Sequence, residues 1–169
     1  ISLSSTTDVG YAVGDSGVIL RTTNMGGNWQ SQISGISSTL RSVKLINDTI
    51  GFAVGNQGVV LKTTNAGFSW IRHEIGTTAN LKSVSSSGQH LLAVGENGAC
   101  FRSNNLGETW YPSPISETSD INSVAHWNTN SAGLVTESGN LYITSNNGQS
   151  WIFERSFPQV GLTNISYYN

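Results

Sequence analysis

The sequence predicts an all-β protein of the β-propeller class, with about four four-stranded blades plus one extra strand. Three observations support this fold class. An eight-residue motif ending in tryptophan occurs four times, and the tryptophans, at positions 29, 70, 110 and 151, are 41, 40 and 41 residues apart. No helical periodicity separates the copies. A repeat of about 40 residues is the period of one propeller blade.

Each repeat contains four short runs rich in β-branched and aromatic residues, which is the composition of strands. The second copy shows them most clearly, as LRSVKLI (Leu40 to Ile46), IGFAV (Ile50 to Val54), VVLKT (Val59 to Thr63) and SWIRHEI (Ser69 to Ile75). We therefore predict a single propeller domain over residues 1–169, with blades at approximately 1–35, 36–76, 77–116 and 117–157.

Residues 158–169 carry the extra strand, because LTNISYYN (Leu162 to Asn169) matches the innermost run LRSVKLIN. We expect this segment to start a further blade or to act as a closing strand. An incomplete blade leaves an open sheet edge, and open edges pair with other strands. Three arrangements stay open: a piece of a longer propeller, closure with a second copy, or a compact four-bladed ring.

Two kinds of turn connect the runs. A glycine ends each link between the second and third runs (GDSG, GNQG, GENG and TESG), where it supplies a positive φ. The third and fourth runs are joined by the eight-residue motif, which we call the clasp: TTNMGGNW, TTNAGFSW, SNNLGETW and TSNNGQSW.

Each clasp residue has a structural interpretation. We expect the asparagine to accept backbone N–H groups, the glycine to be left-handed, and the tryptophan to begin the outer strand and cover the hairpin. The predicted clasp residues are Asn24, Gly26, Trp29, Asn65, Gly67, Trp70, Asn105, Gly107, Trp110, Asn146, Gly148 and Trp151.

Five of the eight basic residues fall at two repeated positions. Arg21, Lys62 and Arg102 end the third run of their repeats, whereas Arg41 and Lys82 follow the first residue of the innermost run. Because equivalent residues of successive blades form an arc around a propeller axis, these residues predict a basic surface for an acidic loop or peptide. The alternative is that each stem covers apolar neighbours and keeps its charged head in water.

Composition and charge argue against several classes of partner and location. The net charge of −2 argues against a nucleic-acid partner, whose phosphates require dense Lys and Arg. No apolar run reaches the roughly 20 residues of a transmembrane helix. The charged fraction is only 11%, and Ser, Thr, Asn and Gly supply the polarity, which indicates an exported protein. The single cysteine, Cys100, has no partner for an internal disulfide.

The sequence shows no catalytic constellation, and we expect a non-enzymatic protein without a cofactor or metal. The three histidines occupy different repeat positions, so no pair has metal-ligand spacing. Paired carboxylates are the signature of glycoside hydrolases, and the candidates here, Asp8, Asp48 and Asp120, lie near blade junctions. Asp8 and Asp48 both precede a second run, where a turn role explains them. Aromatic residues outside the clasps can stack on sugar rings, so a carbohydrate partner stays an alternative.

The clasp is similar to the Asp-box, or bacterial neuraminidase repeat, whose pattern is Ser/Thr-x-Asp-x-Gly-x-Thr-Trp, with Asn in place of Asp in all four copies. The longer units VGYAVGDSGVILRTTNMGGNW (Val9 to Trp29) and IGFAVGNQGVVLKTTNAGFSW (Ile50 to Trp70) resemble the repeat of the photosystem II assembly and stability factor family. The resemblance extends over essentially the whole chain. Two departures are the chain length, too short for seven blades, and the fourth repeat, which has Thr136 and Ile143 at drifted positions.

The resemblance implies a lumenal or periplasmic, commonly seven-bladed propeller that acts as a non-enzymatic chaperone for a membrane-protein subunit. It also implies a surface arginine cluster, for which Arg21, Lys62 and Arg102 are the candidates by repeat position. We accordingly expect a scaffold or binding module for a protein partner, an assembly or stability factor or accessory subunit of a membrane-associated complex. The alternatives are a carbohydrate-binding or sialidase-like fragment of a secreted protein, and a purely structural unit of a surface assembly.

Overall fold

The computed structural model describes residues 1–4 and 7–167. Its fold class is the predicted one: four antiparallel four-stranded sheets of propeller type, each formed by strands that follow one another along the chain. The chain divides into two compact units, Ile1–Thr78 (unit 1) and Ala79–Asn169 (unit 2), and each unit contains two sheets. We number the sheets as blades 1 to 4 in chain order.

Unit 1 contains blades 1 and 2. Blade 1 consists of β1 (Ser2–Leu3), β2 (Gly10–Val13), β3 (Ile19–Thr22) and β4 (Gln30–Gln32). Blade 2 consists of β5 (Leu40–Leu45), β6 (Gly51–Gly55), β7 (Val60–Thr63) and β8 (Ile71–His73). The apolar core of this unit includes the buried side chains of Tyr11, Ile19, Leu40, Leu61 and Trp70.

Unit 2 contains blades 3 and 4. Blade 3 consists of β9 (Leu81–Ser87), β10 (His90–Gly95), β11 (Cys100–Ser103) and β12 (Tyr111–Pro112). Blade 4 consists of β13 (Ile121–His126), β14 (Ala132–Thr136), β15 (Asn140–Thr144) and β16 (Ile152–Ser156). Its core includes Leu92, Val94, Ile121, Leu134 and Tyr142.

Burial changes from the middle of a blade to its outer edge. All five residues of β6 and of β14 are buried, whereas all five of β16 are exposed. A strand covered on both faces requires small and apolar residues, which explains the near-continuous apolar sequences GFAVG and AGLVT. The outer strands begin one residue after the tryptophan, so the expectation that tryptophan starts the strand is wrong by one position.

The links between second and third strands contain the predicted left-handed glycines, with φ of 72° at Gly17, 66° at Gly58, 70° at Gly98 and 83° at Gly139. In the first three links the residue before the glycine is also left-handed, within a single 3₁₀ turn. The fourth link, TESG, forms no 3₁₀ turn; there the Thr136 hydroxyl accepts the Asn140 N–H at 3.0 Å.

Residues 161–167 form no strand, although they lie along blade 4. The N–H of Leu162 donates to the carbonyl of Thr136 at 3.1 Å, as the N–H of Leu40 donates to that of Gly14 at 2.9 Å. The Asn122 side chain also donates to the Leu162 carbonyl at 2.9 Å. The last two residues of the predicted extra strand, 168 and 169, lie outside the described residues, and the assignment of 158–169 to a further blade stays a prediction.

Candidate functional site

Each clasp is closed by its own side chains. The asparagine Oδ1 accepts the backbone N–H four residues ahead, at 2.8 Å in the first clasp and 3.0 Å in the other three. The Ser or Thr that opens the motif is buried, and its oxygen accepts the N–H of the clasp glycine at 2.9–3.0 Å. Sequence interpretation missed this hydroxyl, although all four copies have Ser or Thr there.

Two successive clasp residues are left-handed. The glycine has the expected positive φ, from 73° to 91°, and the residue before it has a φ from 54° to 59°. That preceding residue is Met25, Ala66, Leu106 or Asn147, and only asparagine adopts this conformation readily. The hydrogen bonds of the clasp therefore hold a backbone shape that side-chain propensity alone does not predict.

A clasp also packs on the preceding blade of its unit. A Cβ at Gly67 would lie 2.9 Å from Tyr11 Cε1, and one at Gly148 would lie 2.7 Å from Leu92 Cδ2. In unit 2 the hydroxyl of Ser113 donates to the Gly148 carbonyl and accepts the indole N–H of Trp151 at 2.8 Å. The clasp glycines are thus required by close approach as well as by φ.

The basic residues one position before the ends of the third strands each have an aromatic neighbour, and for Lys62 and Arg102 the charged group lies over the ring. Arg21 lies beside Tyr11; burial raises the pKa of that phenol, and the arginine partly opposes the rise. Lys62 is only 6% exposed, and its Nζ lies 5.7 Å from the Phe52 ring centroid, so it offers little surface to a partner. The Arg102 guanidinium lies 5.6 Å from the Tyr111 ring centroid.

The basic residues of the innermost strands have polar partners within their own units. The Arg41 Nε donates to Asn56 Oδ1 at 2.6 Å. The Lys82 Nζ donates to Asp120 Oδ2 at 2.7 Å and to Asn122 Oδ1 at 2.8 Å, which links the innermost strands of blades 3 and 4. Both side chains therefore have a structural role, whether or not they also contact a partner.

The Asp120 carboxylate should make unit 2 less stable in acid. Hydrogen bonds from Lys82 and from the Asn97 N–H hold the pKa of Asp120 below its usual value. A carboxyl with a lowered folded-state pKa stabilises the fold above its ordinary pKa of about 3.9, and the contribution is lost as the pH falls through the folded-state value. We expect Asp120→Asn to cost about 1 kcal/mol at neutral pH and progressively less as the pH falls below about 3.9.

Urea denaturation at several pH values measures this difference. The control is Glu74→Gln, because the Arg72–Glu74 pair, at 2.7 Å, has side chains that are 42% and 75% exposed and should contribute little. If Asp120→Asn lowers the free energy of unfolding by the same amount at pH 3 and pH 7, the ionised Asp120 carboxylate is not the group that stabilises unit 2.

The groups considered for chemistry also have structural partners. Asp48 accepts hydrogen bonds from the hydroxyls of Thr7 at 2.6 Å and Ser4 at 3.4 Å, so it joins its own blade to the blade 1 segment. Burial raises the pKa of the Cys100 thiol to about 12, so it is not a thiolate at neutral pH. The described part of the chain contains no group of three or more His, Cys, Asp or Glu side chains arranged to hold a metal ion.

A polar cleft of about 270 Å³ opens in unit 2 between blade 3 and the clasp of blade 4. His90 and Arg102 line it from blade 3, and Asn146, Asn147 and Gln149 line it from the clasp. Sequence interpretation treated His90 as an ordinary histidine. The available signal was a departure from the repeat, since the equivalent positions in unit 1 are apolar.

The family model described as photosynthesis system II assembly factor YCF48 matches residues 28–157, well over half of the chain. No curated protein matches the chain significantly. None of the described residues belongs to a helix long and apolar enough to cross a membrane.

Solved propellers share the fold. A structure of YCF48 bound to D1 peptide is 21% identical with a TM-score of 0.65, and the match covers 70% of this chain and 42% of that chain. YCF48 from Cyanidioschyzon merolae is 25% identical with a TM-score of 0.65, covering 72% and 41%. The GH74 xyloglucanase from Xanthomonas campestris is 16% identical with a TM-score of 0.68, covering 90% and 29%, a likeness of fold alone. The matches therefore span about two fifths of the assembly-factor structures.

Proposed function

The chain belongs to the photosystem II assembly factor family, and from that premise we propose that it is a non-enzymatic binding module for a protein subunit of a membrane-associated complex. The observation that carries the proposal is the extent of the family match, which runs from the first clasp through blade 4. One solved structure with a similar fold is YCF48 bound to D1 peptide. That complex supports a peptide segment as the kind of partner. We further propose that the protein works outside the cytoplasm, in a periplasm, a lumen or the extracellular space.

An arginine on each unit favours an acidic peptide segment as the partner. Arg21 in unit 1 and Arg102 in unit 2 occupy the same position near the end of the third strand, and both are half-buried. Arg21 is the cross-strand neighbour of Tyr11, and the Arg102 guanidinium lies over the Tyr111 ring. A guanidinium held on a ring keeps fewer rotamers, so less entropy is lost when it binds a carboxylate. Lys62, the third residue of the predicted arc, is a weaker candidate because of its burial.

Binding of a fluorescent acidic peptide, measured by anisotropy at low and high salt, tests this function. The peptide carries clustered glutamates, and a glutamine version is the matched probe. We expect salt-sensitive binding of the glutamate peptide alone, weakened about tenfold by Arg21→Glu or Arg102→Glu. Arg72→Glu is the control, because Arg72 already pairs with Glu74 on an outer strand.

Two results would contradict the proposal. One is equal binding of both peptides, or of neither, by the unaltered chain. The other is release of reducing sugar from xyloglucan, which would favour the carbohydrate-active alternative. No specific contact of the described residues favours that alternative, since Asp48 and Asp120 are engaged within the fold.

A further inference from the structure

The cleft lies at the joint of blades 3 and 4, whose residues can be compared with those at the equivalent joint of blades 1 and 2. Strand register places Tyr11 opposite Arg21 in blade 1 and Leu92 opposite Arg102 in blade 3. The residue two positions earlier on the same face is Val9 in blade 1 and His90 in blade 3. In unit 1 the fully buried Tyr11 ring fills the space beneath the clasp.

In unit 2 the residues equivalent to Tyr11 and its neighbours are smaller or more polar. Leu92 is shorter than Tyr11, and Ser113 takes the position of Gln32, three residues after the clasp tryptophan. Gln149 takes the position of Phe68 in the neighbouring clasp. Several residues that form this joint in unit 2 therefore differ in size and polarity from their equivalents in unit 1.

The cleft is rich in hydrogen-bond donors and contains no carboxylate. Asn130, Asn146, Asn147 and Gln149 line it together with His90 and Arg102. The Nδ1 of His90 and the Nε of Arg102 are buried and have no hydrogen-bond partner among the described residues. Buried polar atoms without partners cost stability. The Nε of Arg21 is also without a partner within the described part of unit 1, so the unpartnered atom that is specific to the cleft is the Nδ1 of His90.

His90 and Arg102 lie diagonally across two paired strands. Leu92 and Arg102 are directly opposite, and His90 is two residues from Leu92 on the same face. Diagonal neighbours on one sheet face are within reach of long side chains. A carboxylate in the cleft can therefore contact both the Arg102 guanidinium, which is always charged, and the His90 imidazole.

We propose that this cleft binds a carboxylate of the partner peptide and that protonation of His90 strengthens the binding in mild acid. The inference rests on the proposed function and deepens it, because it names one site in unit 2 and its regulation. The charged or titratable side chains on the elements around His90 include Arg102 in the same wall and His126 behind the opposite wall. The His126 Nε2 lies 3.1 Å from Asn147 Oδ1 and its Nδ1 lies 3.0 Å from Ser85 Oγ, so it faces the blade 4 clasp. Glu108 belongs to the blade 3 clasp, whose Leu106 N–H donates to the Gln89 carbonyl at 2.9 Å.

The test is the affinity of the glutamate peptide at about pH 5.5 and about pH 8, where histidine changes charge and glutamate does not. We expect binding about tenfold tighter at the lower pH. His90→Val, which restores the residue type of Val9, should remove the pH dependence, and His90→Lys should bind tightly at both pH values. His126→Gln and His73→Gln are the controls and should keep the pH dependence. Peptides with an amidated terminus or with glutamine in place of glutamate distinguish a terminal carboxylate from a side-chain carboxylate.

The outcomes separate this inference from the function on which it rests. Peptide binding that is independent of pH, or whose pH dependence survives His90→Val and disappears in His126→Gln, overturns the cleft proposal and leaves the binding function standing. Absence of peptide binding by the unaltered chain at both pH values overturns both. Circular dichroism of His90→Val and His90→Lys verifies that each variant is folded.

Discussion

Replacing Trp70 with alanine is expected to lower the free energy of unfolding by about 3–5 kcal/mol. The Trp70 ring is 8% exposed and meets the Tyr11 ring edge to face, with centroids 5.5 Å apart and planes at 88°. Alanine would remove that contact and the apolar area that the ring buries, and it would leave a cavity at the joint of blades 1 and 2. Urea denaturation followed by circular dichroism measures the loss.

Two variants control for this result. Trp29→Ala removes the equivalent ring from blade 1, where it is only half-buried, and should cost clearly less. Trp70→Phe keeps an aromatic ring and removes an indole N–H that has no hydrogen-bond partner in the structure, so we expect a cost of about 1 kcal/mol. Equal costs for Trp70→Ala and Trp29→Ala would show that burial at the joint is not what matters.

Replacing Gly58 with alanine is expected to cost about 2–4 kcal/mol, an unusually large effect for one methyl group. Gly58 has a φ of 66°, and a Cβ built on it would overlap the backbone carbonyl of Thr77. The obstacle is main chain and cannot rotate away, so the turn or the segment after β8 must shift. The same denaturation measurement applies.

Gly76→Ala separates conformational strain from steric overlap. Gly76 has a φ of 81°, and an added Cβ there would meet nothing within 4 Å. Alanine at this position should therefore cost only the strain of a left-handed residue, about 1 kcal/mol. If the two substitutions are equally destabilising, close approach to Thr77 does not determine the requirement for glycine.

The fold was predictable because its signals are repeated. The spacing of 40 or 41 residues between the tryptophans indicates four blades, and the turn glycines indicate where strands pair. Because the signals are repeated, a weak signal in one copy is compensated by the other copies. Strand ends were less predictable. Trp70 reads as a strand residue by composition, but it covers the clasp, and the pairing of β8 with β7 begins at Ile71.

The candidate site was harder to predict because it depends on differences among copies. Lys62 and Arg102 occupy the same repeat position, yet Lys62 is buried over Phe52 while Arg102 lines a cleft. Arg102 faces the clasp of blade 4, a neighbour that a periodic pattern in one chain does not identify. His90 was informative only as an exception to the apolar residues Val9 and Ile50.

The self-contained clasp has a consequence for how such a protein diversifies. The hydrogen bonds that close a clasp join residues of the same motif, so a copied blade brings everything its hairpin requires. The residues that differ most in character between units, such as Tyr11 against Leu92 and Val9 against His90, lie in the seams between blades. Duplication of a blade therefore copies a hairpin that folds with its own residues. New recognition properties can then arise by substitution between two blades while every hairpin stays intact.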